Sequence, residues 1–423
     1  MNNIEKEIGS IVQIFSSIED KRHDRGKRHR LIDIFILSVF GILWGHTDFV
    51  NMVDELKYHE DYFKDLLGLK HGIPSHDVFS AVFRIIDPEE FLTCFMQWIY
   101  SLVDVKDCHL CLDGKAIKAA CDKVHNKNIP YIVNAYLVDY NLLIGQIKVD
   151  EKTNEIKGVP ELLKYLDLKG VTVTLDAMGC QRSLCDTLVN EKKADYVIPV
   201  KANQENLQES IIDYFQSYLP DYKKEIELVN KYKKENIPYS PDKIIKNISE
   251  HHSFSKAHGR IEERNYYVSD DISFIDKNKW PTVKAIAYTY HKREIISKDE
   301  NDEIINDKEK SSVEIHAYVL SRIMDAQEFA SYARGHWSIE NSLHYVLDVF
   351  FDEDLSTSKK NHTLTNLSLL RKTIFNLINL DPVAKKKTKK AAINYFRNRP
   401  ETIIDLLFKK IPESYITKRS IEY

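Results

Sequence analysis

A chain of 423 residues that is 43% hydrophobic and 29% charged, with 11% aromatics and only 13 glycines, is neither a small disulfide-stapled scaffold nor a low-complexity polymer. It is long enough for two or three domains, each with its own core. The formal charge of −4 excludes a uniformly basic surface, so any contact with a polyanion has to come from local basic patches.

The opening MNNIEKEIGS lacks the apolar stretch of a secretory signal. The longest apolar run, LIDIFILSVFGILW at 31–44, is broken by Asp33 and falls short of the roughly 20 residues of a membrane span. A cytoplasmic protein without membrane contact is expected, with that run as a buried core helix. Residues 1–105 read as a helical domain. Ser75 is placed to cap one helix, and Asp87 with Pro88 and two acids opens another. Within it KRHDRGKRHR (21–30) sets six Lys/Arg against one Asp, either a phosphate contact or a solvated charge run. The cysteines at 94, 108, 111, 121, 180 and 185 form no disulfide framework, which fits a reducing compartment. Cys108-x-x-Cys111 lacks the second ligand pair of a structural zinc site and reads as two buried strand residues.

From about 108 the pattern changes to short runs rich in Ile, Val and Tyr. CHLCLDG is a predicted strand, YIVNAYLVDYNLLIGQIKVD two strands turning at Asp139–Asn141, VPELLKYL a helix, VTVTLDA a strand, QRSLCDTLVNEKK a helix and DYVIPV a strand. The order β-β-β-α-β-α-β is that of a ribonuclease H-like fold, three antiparallel strands extended by parallel ones. The fold class expected is therefore α/β, a mixed ribonuclease H-like sheet with an N-terminal helical domain and an inserted β-rich subdomain. The divisions are 1–105, 106–204 as the first catalytic part, 205–325 as the insertion, 326–380 as the helical return of the catalytic domain, and 381–423 as a basic helical tail. Within the insertion, SKDENDEIINDKEK is expected as a polar loop between two strands.

Two of these strands end in an aspartate followed by small residues, Asp113 in LDGK and Asp176 in TLDAMGC. A carboxylate at the end of an apolar strand is costly to bury without a partner, and metal coordination removes that cost. RGHWSIENSLH (334–344) supplies Glu340 on a helix, with His344 one turn on and Trp337, Asn341 and His344 expected along one face. Ile339, Leu343 and Val346 would pack the other side, and Trp337 itself reads as core. Three acids brought together make an oxygen-rich site for Mg²⁺ or Mn²⁺. Two such ions clamp the attacking and leaving oxygens of a phosphodiester displacement.

The ordered series LDGKAIK, GQIKVDEKTNEIKGVPELL, VTLDAMGCQ, DYVIPVKANQ, HGRIEER and RGHWSIENSLHYVLDVFFDED resembles the motifs of the ISAs-type insertion-sequence transposases, a family that includes the H-repeat-associated proteins. PSHDVFSAVFRIIDPEEF resembles that family's associated helical domain. The resemblance implies a DDE transposase with Asp113, Asp176 and Glu340 as catalytic, metal-holding acids, two Mg²⁺ or Mn²⁺ ions, DNA ends and target DNA as partners, and a homodimer on paired ends. In related DDE groups an arginine, a tyrosine and a lysine flank the glutamate. Here those places are His336, Ala333 and Leu347, so these contacts do not carry over.

Lys115, Lys118, Lys201, Asn203 and Gln204 lie just beyond strand ends near the acids and are candidates for holding DNA backbone. In HGRIEER, His258, Arg260 and Arg264 could present a basic face, or pair with Glu262 and Glu263 as an ion ladder. Arg334, His336, Trp337 and His344 complete the candidate DNA contacts. A transposase-derived protein that binds DNA without cutting it, and a metal-dependent nuclease, are the competing functions.

Overall fold

The computed structural model describes residues 10–117, 129–149, 155–234, 248–257, 260–298, 304–355 and 361–419. It is a mixed α/β protein in two compact units. The first comprises Met1–Val105, Leu112–Leu166 and Ser338–Ser420, the second Lys106–Cys111, Asp167–Trp337 and Ile421–Tyr423.

In the first unit the helices α1 (Ile11–Phe15), α2 (Leu31–Leu43), α3 (Phe49–Tyr58), α4 (Glu60–Leu67), α5 (His76–Ile85) and α6 (Pro88–Leu102) come first. The apolar run at 31–43 is the core helix α2, with Leu37, Val39 and Phe40 fully buried. Asp33, which interrupts the run, is buried but bonded to Arg30 at 2.7 Å, so its charge is compensated. Phe35 packs on Phe15, ring centroids 4.7 Å apart. The two capping expectations differ in outcome. Asp87 accepts from the Glu89 and Glu90 amides at the start of α6, with Pro88 in the first turn. Ser75 occupies the corresponding place before α5, but its side chain makes no capping bond.

The same unit holds the antiparallel hairpin β2 (Tyr131–Leu137) and β3 (Leu142–Val149), paired from Tyr131↔Val149 to Leu137↔Leu142. Asn141 adopts the left-handed conformation that the turn requires, φ +55°. Helix α7 (Glu155–Tyr165) follows. A later helix, Thr363–Leu380, is buried nearly along its length, and several of its polar side chains bond to the strand and helices around it. The Asn376 amide donates to the Leu143 carbonyl and its oxygen accepts from the Leu143 amide, both at 2.8 Å. The Asn366 amide donates to the carbonyls of Phe83 and Ile86 at 2.9 Å. Such paired bonds fix the helix's register as well as its face.

The second unit is a mixed sheet. It takes the opening residues of β1 (His109–Ala116), then β4 (Thr172–Leu175), β5 (Asp195–Val200), β9 (Ile304–Leu320), β8 (Ala285–Lys298), β7 (Arg260–Ser269) and β6 (Ile248–Ala257) in that spatial order. β4 and β5 are parallel, and the remaining pairs from β5 onward are antiparallel. Helices α8 (Arg182–Asp186), α9 (Glu205–Lys234) and α10 (Ala326–Ile339) complete it. Val197, Val268, Ala287, Leu320 and Phe329 are among its shared core residues.

Two features depart from the sequence reading. The strands of 205–325 join the sheet directly, Val197 pairing with Leu320, so they extend it through β9. The polar stretch expected as a loop at 297–310 is largely strand, with β8 reaching Lys298 and β9 beginning at Ile304. Its isoleucines favour the extended backbone, and Ile296 pairs with Asn306. No helix among the described residues is long and apolar enough to cross a membrane.

Candidate metal centre

Asp113 sits in β1 after the fully buried run Leu110, Cys111 and Leu112. Its carboxylate emerges where that apolar run ends, leaving the side chain 16% exposed. Glu340 and His344 come from the segment after α10, where residues Glu340–His344 form one π turn before α11 (Tyr345–Phe351). Such turns carry an extra residue and recur where a side chain must be re-aimed. Buried Ile339, Leu343 and Leu347 fix the inward face. His344 Nδ1 then lies 3.3 Å from Glu340 Oε2 and 3.6 Å from Asp113 Oδ2. One ligand atom from each of the three residues falls within 4.8 Å of the others. The His344 side chain is 8% exposed, and its buried Nε2 has no hydrogen-bond partner among the described residues.

The observed face differs from the predicted one. Trp337, Asn341 and His344 were expected in line, and Trp337 in the core. Trp337, 62% exposed, and Asn341 lie on the solvent side, and His344 alone of the three is buried.

A second charged cluster lies in the same unit, and it corrects the expectation for Lys115. That lysine is not available to hold a DNA backbone. It is buried, its ammonium bonded to Asp348, to Glu353 at 3.2 Å and to Asp354 at 3.5 Å. The physical reason is burial, since an ammonium this enclosed has to be matched by carboxylates. Glu353 in turn accepts from Ser368 at 2.7 Å, and Lys372 donates to Gln146 at 2.5 Å. Burial alone would raise the Glu353 carboxyl, but Lys372, Lys115 and Arg371 pull it down to about 2. Burial pushes the Lys372 ammonium down to about 8 against the opposing pull of Glu353. Sequence reasoning missed this network. The signal was the Arg371–Lys372 pair inside the apolar run LSLLRKTIF, since buried cations imply buried acids.

In the second unit Asp176 ends β4 and caps the tight turn Ala177–Gly179, accepting from the Ala177 amide at 2.6 Å. Lys201, just past β5, approaches its Oδ1 to 3.7 Å. Asn203 and Gln204 donate side-chain amides to the carbonyls of Ala177 at 2.8 Å and Cys180 at 3.1 Å. These amides brace the Asp176 turn, a structural role that the sequence reading of them as DNA contacts did not include.

His336 is likewise taken up internally. Its Nδ1 lies 3.1 Å from Cys111 Sγ and 3.2 Å from Thr174 Oγ1, while His109 Nε2 meets the same hydroxyl at 2.8 Å. Burial, with His336 adding to it, drives the His109 imidazole down to about 3. In the basic motif of β7, Arg264 is bonded to Glu262, which also holds Arg293 at 3.2 Å, so the ion ladder is realised there. Arg260 is exposed and Arg334 half-buried. Lys118 and His258 lie outside the described residues.

Residues 104–377 match the family described as the Transposase DDE domain, and residues 12–99 match the DDE_Tnp_1-associated domain. The chain belongs to the insertion-sequence DDE transposase family. Relatives of this transposase include the "H repeat-associated putative transposase YhhI" of Escherichia coli K12, 29% identical over 408 residues covering 92% of this chain and 96% of that protein. Another is the "Putative transposase YncI" of Escherichia coli O157:H7, 32% identical over 396 residues covering 92% and 93%. A piggyBac transposase synaptic complex with hairpin DNA, solved by cryo-EM, shares 13% identity at a TM-score of 0.40, covering 94% of this chain and 75% of that one.

Proposed function

We propose that this transposase cleaves and rejoins DNA phosphodiester bonds at insertion-sequence ends, with Asp113, Asp176 and Glu340 as its catalytic acids on a ribonuclease H-like core. The observation that supports it most directly is the Asp113, Glu340 and His344 cluster, whose ligand atoms fall within 4.8 Å of one another. Two carboxylates and an imidazole fit a divalent cation, and the nitrogen donor tilts the set from Mg²⁺ toward Mn²⁺. In this reading Asp176 brings the third carboxylate. A pair of such ions would supply Lewis-acid activation of water and charge neutralisation at the scissile phosphate.

The protein's own part is to hold and orient. Asp113 and Glu340 would fix the ligand sphere from a strand and a helix together with His344 Nδ1, 3.3 Å from Glu340, and the proton released by the attacking water would pass to solvent. The water oxygen bonds to phosphorus as the P–O3′ bond breaks, and the leaving oxygen takes up a proton to become a 3′-hydroxyl. That hydroxyl then attacks target DNA by the same displacement, so no covalent protein intermediate is needed. Lys201, Arg260 and exposed Trp337 are proposed DNA contacts, as is half-buried Arg334. Cleavage of two paired ends calls for a homodimer. The segments 1–105, 106–204, 205–325, 326–380 and 381–423 remain the functional divisions proposed.

The test is strand cleavage of a labelled duplex carrying the ends that flank the reading frame, in Mg²⁺ or Mn²⁺. Asp113→Asn, Asp176→Asn and Glu340→Gln each remove a charge at nearly constant volume. Loss of nicking in all three with binding retained is expected. Binding without cleavage by the wild type would instead indicate a transposase-derived DNA-binding protein, and cutting indifferent to the ends a general nuclease.

A further inference from the structure

Two adjoining clefts of the first unit, about 290 and 210 Å³, share Asn141, Asn379, Lys385 and Arg419. One is lined by Asn341, Ser342, Tyr345 and Val349, which belong to the same π turn and helix as Glu340 and His344. Their other walls come from the lysine run AKKKTKK at 384–390 and from the segment 415–419. Lys385, Lys386, Lys387, Lys389, Lys418 and Arg419 face the two clefts, and no carboxylate is among the described residues lining either.

How these cations are held matters as much as their number. Lys389 lies over the Phe350 ring at 5.3 Å and Lys387 over Tyr395 at 5.7 Å. Lys385 donates to the Thr417 hydroxyl at 3.2 Å and Arg419 to the Ser342 hydroxyl at 3.3 Å. Rings and hydroxyls orient a cation without neutralising it, so the charge stays available to an anion. In a chain of net charge −4, a concave stripe of Lys385, Lys386, Lys387, Lys389 and Arg419 beside the Glu340 helix is a local exception that calls for a ligand. Asparagine amides and an exposed tyrosine within it suit a sugar–phosphate chain.

We infer that this paired cleft is a binding track for the phosphate backbone of duplex DNA, laying a strand along the helix that carries Glu340. The inference rests on the proposed action on DNA and adds to it a surface of the C-terminal segment.

The test is fluorescence anisotropy of a labelled duplex of arbitrary sequence, titrated with the full-length protein across salt concentrations. The wild type is compared with the triple variants K385Q/K387Q/K389Q and K385R/K387R/K389R, each checked for a wild-type circular dichroism spectrum. Each phosphate contact contributes about 0.9 to the slope of log affinity against log salt. The glutamine variant should therefore lose roughly 2–3 from that slope and bind at least about ten-fold more weakly at moderate salt, while the arginine variant keeps both. A wild-type slope in the glutamine variant overturns the track and leaves the proposed function standing. Failure of the wild type to bind duplex at low salt overturns both. Wild-type preference for polyglutamate over duplex, lost in the glutamine variant, overturns the inference by assigning the cleft to an acidic protein.

Discussion

Replacing Lys115 by Met should destabilise the first unit through the carboxylates it leaves behind. The buried Glu353 carboxyl is held at about 2 rather than its ordinary 4.5, with Lys372, Lys115 and Arg371 outweighing burial. At about 1.4 kcal/mol per pH unit, that difference is worth about 3 kcal/mol of stability at neutral pH, shared among the three cations. Removing one partner of a buried ion pair costs about 3–5 kcal/mol in general. Because Lys372 and Arg371 remain, a loss of about 2–4 kcal/mol is expected. A carboxyl depressed in the folded state contributes fully above its unfolded value of 4.5, and the contribution is lost as pH falls toward 2. The penalty of Lys115→Met should therefore be full at pH 7 and shrink below about pH 4.5 as Glu353 protonates. Urea unfolding followed by tryptophan fluorescence suits the measurement, since Trp44 and Trp98 are both buried in this unit. The double variant Lys115→Met/Glu353→Gln should recover part of the loss. A single variant within about 0.5 kcal/mol of wild type at pH 7, the spread of neutral surface substitutions, would refute the reasoning, as would a penalty that grows on acidification.

Other expectations follow from the same geometry. Mn²⁺ at about a hundred times its dissociation constant should stabilise the wild type by about 2.7 kcal/mol, read as a rise in melting temperature. The rise should be much reduced in Asp113→Asn. His109, neutral because burial and His336 hold it near 3, takes up a proton more readily when unfolded, around its ordinary 6.5. Its contribution is thus present above pH 6.5 and lost as pH falls toward 3, and His109→Gln should flatten the acid limb of the stability profile across that window. A Cβ at Gly158 would lie 2.6 Å from Val149 Cγ1, so Gly158→Ala should cost about 1–3 kcal/mol in thermal unfolding.

Many of the elements were legible because short-range patterns carried them. The hairpin at Asp139–Asn141, the strand ending in Asp176 and the buried run at 31–43 all follow from alternation, turn residues and apolar length. The approach of Asp113 to Glu340 was anticipated from strand order and helix position. Long-range matching was harder to read. Nothing local to Lys115 says that it is enclosed by carboxylates some 230 residues later, and so it was taken for a DNA contact. His336 was misread for a related reason, because its partners Cys111 and Thr174 are distant in the chain. The π turn at Glu340–His344 was hidden as well, because periodicity at 3.6 residues does not register an added residue.

Whether Asp176 joins Asp113 and Glu340 around one metal centre can be measured without relying on turnover. With Fe²⁺ substituted for Mg²⁺ and an oxidant added, hydroxyl radicals cut the polypeptide near the bound metal. Cuts near residues 113, 176 and 340, all suppressed by excess Mg²⁺, are the predicted result. Cuts near Asp113 and Glu340 with none near Asp176 would contradict a three-acid centre and leave the carboxylate at the end of β4 with its turn-capping role alone.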